Sequence, residues 1–553
     1  MTAKQVEKQK AYPGYREEIL RIWRRWTVLV VLGVLAPAFA SAQVTTGDVL
    51  GTVTDQTGAA IPGAKVTLSN LGTGVTQTVQ SNGAGDYIFT LLQPGSYSVQ
   101  IEAPTFKKVV YANVPLAAGD RLREDGKMET GAVEETVQVD ATPPLLQTDS
   151  SAVSSVVTQE SVQDLPLNGR NFINLVTIQA GVNQGPPNAI SSGTRPDDRR
   201  QTSTVSANGQ SDLFNNEMID GMDNNEREQG FIGVRPSIDA IAEVKIDTNS
   251  FTADTGRDAG AVVNIITKAG TNAYHGSAYE FFRNDIFDAT SYGFGNKLPK
   301  TEYRQNQFGG SIGGPIRKNK TFFFADAEDN RIIQGLPTTL YTVPTCRERG
   351  LASDCKTPSG IYDFTDNGGT AVSAAKTNAV GLNYLGLYPL PNAGGAGAVA
   401  NNYASGPNQT QYAFSTDGRI DQNFNNGDRL FARYSYNDVS TATPGAFPDV
   451  SEANLTISPG GVPFGFAGPS ITKAQNVQIS YTHLFSPNLI MDLKTGYTRI
   501  VIDTESLNYG KNVSSALGVV NANTPDAIQT TGLTPLAISG GYAAPGDSPF
   551  LPI

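Results

Sequence analysis

Very few side chains in this sequence are equipped for covalent or metal chemistry. The histidines are His275 and His483 and the cysteines are Cys346 and Cys355. No Cys-x-x-Cys pair exists, which excludes a zinc ribbon or a thioredoxin-type redox site. Gly309-Gly310-Ser311-Ile312-Gly313 has the spacing of a nucleophile elbow. That motif needs a strand–turn–helix corner and a histidine base, whereas this serine falls inside a glycine-rich strand pattern with no helical period after it. Asp220, Asp223 and Glu226 suggest calcium, but they lack the EF-hand spacing and its terminal glutamate. A net charge of −11 opposes phosphate-tracking nucleic-acid binding. The expectation is no catalytic residue, no metal site, no cofactor and no nucleic-acid partner.

The elements that hold these residues are mostly strands. The 553-residue chain is long enough for several domains. It is rich in Gly (57), Pro (32), Tyr (21) and Phe (24), and only 17% of it is charged, against roughly 25% in soluble proteins. This suits a mainly β protein with many turns. At the front, the apolar run 26–39 follows Arg21, Arg24 and Arg25 and precedes Ala40-Ser41-Ala42. It reads as a signal peptide over 1–42, too short to span a bilayer comfortably. A membrane anchor or a buried helix is the alternative. Arg24-Arg25 hints at twin-arginine export, although the general secretory route fits better. No later segment has 18 consecutive apolar residues, so an exported chain of this kind is periplasmic, secreted or a β-barrel.

Residues 43–130 read as short strands separated by Gly, Pro and Asn turns, the pattern of a β-sandwich. Tyr87, Phe89, Tyr97 and Val99 are spaced to alternate into a core. The stretches GTVTDQTGAAIPGAKVTL and GDYIFTLLQPGSYSVQIEAPTFKK resemble a carboxypeptidase regulatory-like domain. The resemblance implies an accessory fold and not a peptidase, because a zinc peptidase needs histidine and glutamate ligands and no histidine follows residue 42 before His275. Related folds bind carbohydrate, but no aromatic platform is visible here.

Behind the sandwich, residues 131–147 read as a linker, with Pro143-Pro144 keeping the chain extended. Within it Glu135-Thr136-Val137-Gln138-Val139 resembles a TonB box, an extended and unsatisfied backbone that an energised periplasmic partner grips by strand addition. Residues 148–270 contain SVQDLPLNGRNFINLVTIQAGV, NEMIDGMDNNE and IDAIAEVKIDTNSFTADTGRDAGAVVNIITKAGTN. They resemble the plug of TonB-dependent outer-membrane receptors, a small α/β fold. A short helix is expected over 171–177, strands over 218–220 and 244–247, and a mobile loop over 184–210. The resemblance implies that Arg257 faces the barrel wall, with a salt bridge to a wall carboxylate.

From residue 271 onward about seven strands are expected, near 274–283, 305–316, 321–331, 412–424, 428–439, 474–485 and 489–502. Leu430, Ala432, Tyr434 and Tyr436 oppose Arg433, Ser435 and Asn437, and Val477, Ile479 and Tyr481 oppose Gln478, Ser480 and Thr482. Apolar-out and polar-in is the pattern of a membrane barrel, although a soluble sandwich alternates too. The connections alternate short and long in strict phase, as periplasmic turns and outer loops do. Cys346 and Cys355 fall in the longest outer loop and are expected to pair in an oxidising compartment; free thiols are the alternative. Tyr481, His483 and Phe485 fit an interfacial aromatic girdle.

The order of parts resembles the Oar-like branch of TonB-dependent receptors. It implies a bacterial outer-membrane receptor for energised uptake of an unknown extracellular ligand, with the TonB–ExbB–ExbD complex as partner. The fold expected is an N-terminal β-sandwich, a small α/β plug and the first part of an antiparallel transmembrane β-barrel. Plugged transporters have about 22 strands, so seven mark the sequence as an expected N-terminal fragment. The rival reading is a secreted or surface-attached β-domain binding protein, adhesin-like, with carbohydrate as a target.

Overall fold

The computed structural model describes residues 45–547 except 132–135, 141–152, 166, 168–169, 185–204, 228–231, 252–254, 256–258, 291, 294–295, 298–299, 396, 426, 453, 462–466, 487–488 and 524–530. The expected signal peptide therefore lies outside the described residues.

The front unit comprises β1 (Gly47–Asp55), β2 (Lys65–Asn70), β3 (Thr76–Gln80), β4 (Asp86–Leu92), β5 (Gly95–Glu102), β6 (Lys108–Leu116), β7 (Arg121–Arg123), β8 (Gly126–Met128) and β9 (Thr136–Asp140). One sheet runs β4-β1-β7, with β8 also paired to β1, and the other runs β3-β2-β5-β6-β9. Strand alternation sorts the residues. Tyr97, Val99 and Ile101 of β5, Tyr87 and Phe89 of β4, and Val66 and Leu68 of β2 are buried in one core. Buried tyrosines need partners for their hydroxyls: Tyr87 donates to the Glu124 carbonyl at 2.5 Å and Tyr111 to the Asp125 carbonyl at 2.6 Å. A Cβ at Gly51 would sit 2.1 Å from the Glu124 carbonyl oxygen, so the close approach of these segments requires glycine.

The inner unit is α/β. It contains β10 (Val153–Thr158), α1 (Gln159–Asp164), α2 (Ile173–Val176), β11 (Val182–Gln184), β12 (Val205–Ala207), β13 (Asn216–Ile219), β14 (Met222–Asp223), β15 (Ile241–Asn249) and β16 (Val262–Thr267). Its five-stranded sheet is ordered β10-β15-β16-β13-β14. β16 lies between antiparallel β15 and parallel β13, and all six of its residues are buried. A strand covered on both faces has no polar side to show, which accounts for its nearly unbroken apolar run. The helix expected over 171–177 is the shorter α2, and α1, capped by Thr158, was not anticipated. Most of the loop expected over 184–210 lies outside the described residues. Its ends meet in the β11–β12 ladder, where Val182 pairs with Ala207.

The third part is a wall of seven long antiparallel strands: β17 (His275–Asn284), β18 (Tyr303–Arg317), β19 (Thr321–Gly335), β20 (Asn408–Asn423), β21 (Asp428–Thr443), β22 (Gly468–Ser486) and β23 (Leu489–Thr504). They pair in chain order, and each overlaps the segment expected for it, with β22 starting at Gly468 rather than near 474. The wall is inside-out relative to a soluble sheet. In β22 the buried series is Ser470, Thr472, Asn476, Gln478 and Ser480, while Ile471, Val477 and Ile479 are exposed. In β21 Arg433, Ser435 and Asn437 are buried and Tyr434 is exposed. A soluble sandwich would bury the apolar series instead.

Beyond one rim of the wall, the long connections fold together. Tyr384 and Leu387 of α3 (Ala379–Gly386) and its C-terminal flank pack with Ile457, Val513, Leu517 and Leu533, and Val343 and Tyr388 pack with Phe447. The connections β19–β20 and β21–β22 and the segment after β23 thus share apolar cores. Cys346 and Cys355 are joined in a disulfide within the first of these. Buried Glu348 accepts from Thr345 N at 2.7 Å and, on its other oxygen, from Asn367 Nδ2 at 2.7 Å and the Tyr542 hydroxyl.

Candidate functional site

The polar face of the wall closes on the inner unit. Asp220 occupies the turn between β13 and β14 with φ of 46°, a left-handed conformation tolerated in tight turns by short polar residues. The turn drives its carboxylate toward the wall. One oxygen accepts from Thr267 N at 2.9 Å and the other from Thr267 Oγ1 at 2.7 Å. From the wall, Arg433 Nε reaches Asp220 Oδ2 at 2.8 Å and Arg419 Nη1 lies 3.6 Å from Oδ1. Arg419 is itself held bidentately by Asp421 at 2.9 and 2.8 Å. Arg433 donates to Ser435 at 2.6 Å, Asn476 at 2.8 Å and Gln478 at 3.0 Å. Gln478 returns a bond to the Asp220 carbonyl at 2.9 Å.

These groups are almost fully buried, with Asp220 and Arg433 each 2% exposed. Burial pushes the Asp220 carboxyl up, but Arg433, Arg419 and the two bonds from Thr267 outweigh it and hold it below the usual carboxylate range. Further contacts follow the same seam. Asn437 Oδ1 accepts from Arg235 N at 2.6 Å and its Nδ2 donates to Arg235 O at 2.8 Å. Ser237 donates to Asp326 of β19. Arg170 pairs with Asp239, lies 3.8 Å from Glu328 of β19 and stacks 4.5 Å from the Tyr279 ring. The arrangement performs no bond chemistry. It ties the inner unit to the wall through a dry, mutually bonded polar network.

The front unit is bonded to the inner unit and to the segment that follows it. Ala118 N donates to Glu243 Oε1 at 2.6 Å, and Asn272 N donates to Gly72 O at 2.9 Å. Burial raises the Glu243 carboxyl to about 7 against the lowering bond from Ala118 and Lys245; Asp120 also raises it. The folded state therefore keeps a proton that the unfolded chain gives up near 4.5. Stability from this group is fully present below pH 4.5 and falls as pH rises toward 7. The expected loss is roughly 3 kcal/mol across that window. Glu243→Gln should flatten this part of the pH profile, measured by urea unfolding of the detergent-solubilised chain. An unchanged slope would show that Glu243 does not titrate there.

Arg257 lies outside the described residues. Among the described residues ionic contacts to the wall run both ways: Asp220 of the inner unit meets Arg419 and Arg433, and Arg170 of the inner unit lies 3.8 Å from Glu328 of the wall. Asp220, weighed from the sequence only as a calcium ligand, is the centre of the first of these. Arg433 was already placed on the polar face of an alternating strand, but no partner was expected for it. Glu135 also lies outside the described residues, while Thr136–Val139 lie in β9. The expected unsatisfied backbone is corrected for this segment, because β6 pairs with one edge of it. Ser311 sits mid-strand in β18, 2.8 Å from Ser277 Oγ, and not at a strand–helix corner. His483 is bonded to Asp428 and stacks edge-on to Phe485 at 4.1 Å, beside the short turn between β22 and β23. Among the described residues, no group of three or more His, Cys, Asp or Glu is placed to hold a metal.

Comparison with known proteins places these features. A family model described as an outer membrane beta barrel domain matches residues 266–552, and a carboxypeptidase regulatory-like domain matches residues 48–129. The TonB-dependent transporter Oar of Myxococcus xanthus is 27% identical over 313 residues, covering 55% of this chain and 28% of that protein. The chain thus matches under a third of that relative's length. Among solved structures, the outer membrane transporter YddB of Escherichia coli aligns at 12% identity with a TM-score of 0.38, covering 64% of this chain and 39% of that one. The siderophore receptor PirA of Acinetobacter baumannii aligns at 15% identity and 0.32, covering 65% and 50%.

Proposed function

This chain belongs to the outer membrane β-barrel family, and on that premise we propose that it is an Oar-like TonB-dependent receptor that serves energised uptake of an extracellular ligand into the periplasm. The observation that carries the reading is the inside-out wall, whose buried polar face is latched to the inner α/β unit through Asp220, Arg419 and Arg433. The wall's apolar face suits lipid, and the inner unit acts as the plug. The ligand meets the packed outer loops. The TonB–ExbB–ExbD complex, drawing on the proton-motive force of the inner membrane, grips the segment Glu135–Val139 and pulls. Tension then reaches the plug through residues 141–152, and the latch opens to admit the ligand. The proposed roles of the parts are a signal peptide over 1–42, an accessory sandwich over 43–130, a tether over 131–147, a plug over 148–270 and wall strands from 271.

The test is a photo-crosslinker at Gln138 in cells of the source organism. The expected product is an adduct with TonB in outer-membrane fractions that disappears when a protonophore collapses the proton-motive force. Recovery of the chain in the culture medium, with no adduct, would overturn the reading in favour of a secreted binding protein.

A further inference from the structure

β9 is the edge strand of the front unit's five-stranded sheet. It lies parallel to β6 in continuous register, Lys108 opposite Thr136, Val109 opposite Val137, Val110 opposite Gln138, Tyr111 opposite Val139 and Ala112 opposite Asp140. This is the segment proposed above as the partner's handle. We propose that the front unit is a holder for that handle: the edge of β6 occupies the TonB-box-like strand by the same strand addition that the periplasmic partner uses, and the partner must displace it. The inference rests on the reading of Glu135–Val139 as the handle.

Three observations support displacement over simple addition to the outer edge of β9. The first concerns force. The front unit is bonded to the inner unit through Ala118 and Glu243 and to the start of the wall through Gly72 and Asn272. A pull on β9 while it remains on β6 is borne by that anchored sandwich. Only a β9 that has left β6 passes tension along the chain to β10 and the plug sheet. The second concerns strength. Five parallel pairs form a short ladder with slanted bonds, less stable per residue than an antiparallel one, so the hold is reversible. The third concerns the local chain. Thr130 bridges Phe106, only two positions before Lys108, the first β6 partner of β9. Returning the strand to its seat therefore closes a short loop at little entropic cost. The same contact hides the edge of β6, which would otherwise offer a bare backbone row to any passing strand.

Holding the handle lowers its competent fraction and weakens apparent partner affinity in proportion. The test pins the strand outside the handle itself. Ala112→Cys with Asp140→Cys places cysteines at a directly paired position of β6 and β9, within the spacing a disulfide spans. Binding of the purified periplasmic domain of TonB to the full chain in detergent is compared for this variant oxidised and reduced, with wild type treated identically. The expected result is binding at least about tenfold weaker in the oxidised form, restored by dithiothreitol. Equal binding by both forms would overturn the holder while leaving the handle reading intact. Failure of the cysteines to cross-link on oxidation would also overturn the holder. Absence of binding by wild type and by both forms would instead overturn the handle reading, and the holder with it.

Discussion

Replacing Arg433 with methionine is expected to loosen the inner unit by about 3–5 kcal/mol, the largest stability change foreseen for any single side chain of this protein. Methionine fills part of the space but leaves Asp220, 2% exposed, without its nearest cation. Arg419, at 3.6 Å and already engaged by Asp421, is a poor substitute. Ser435, Asn476 and Gln478 lose a donor at the same time. The measurement is backbone hydrogen exchange across Asn216–Ile219 and Val262–Thr267, whose protection should fall. Adding Asp220→Asn removes the stranded charge and should restore most of it, since residues in one network couple strongly. Unchanged protection in Arg433→Met would mean that the latch does not hold the plug.

Val137→Pro is expected to abolish the energised adduct with TonB, a loss of about a hundredfold, while the chain still reaches the outer membrane. Proline removes the backbone N–H and puts its ring on the edge that the N–H faced, so pairing fails on that edge, the one that β6 and the partner are proposed to share. Its phenotype therefore differs from that of the cysteine pin, which keeps every backbone donor in place. Val137→Ala retains the N–H and should cost far less. Adduct formation by the proline variant at the wild-type level would show that the handle lies elsewhere in the chain.

The parts of the fold that were legible in the sequence are those whose information is local. Alternation in Leu430–Asn437 and Val477–Thr482 marks the wall strands, because a sheet facing two solvents must sort its side chains with period two. The nearly unbroken apolar run Val262–Thr267 is likewise a local signal, one that the structure explains by burial on both faces. The latch was not legible, because Asp220 and its wall partners are brought together by tertiary docking across up to 258 positions of sequence. No local period encodes that register. The alternation puts Arg433 on the polar face but carries nothing about what it meets there. The seat of β9 on β6 was hidden for a related reason: five residues of strand carry no address for the edge they join. The loop cores were hidden because Tyr384, Ile457, Val513 and Leu533 follow no common spacing and belong to three separate connections.

Those shared cores have an evolutionary consequence. A surface built from independent loops can be revised one loop at a time by drift or recombination. Here a change in the β19–β20 connection exposes or crowds side chains contributed by two others, so the segments must be inherited as a block. Chimaeras that exchange all three between relatives should retain a well-ordered exterior, and those that exchange one should not. Variation would accordingly concentrate on the tips outside the cores, such as the exposed Gly368, leaving the packed interior of the loop layer nearly unaltered.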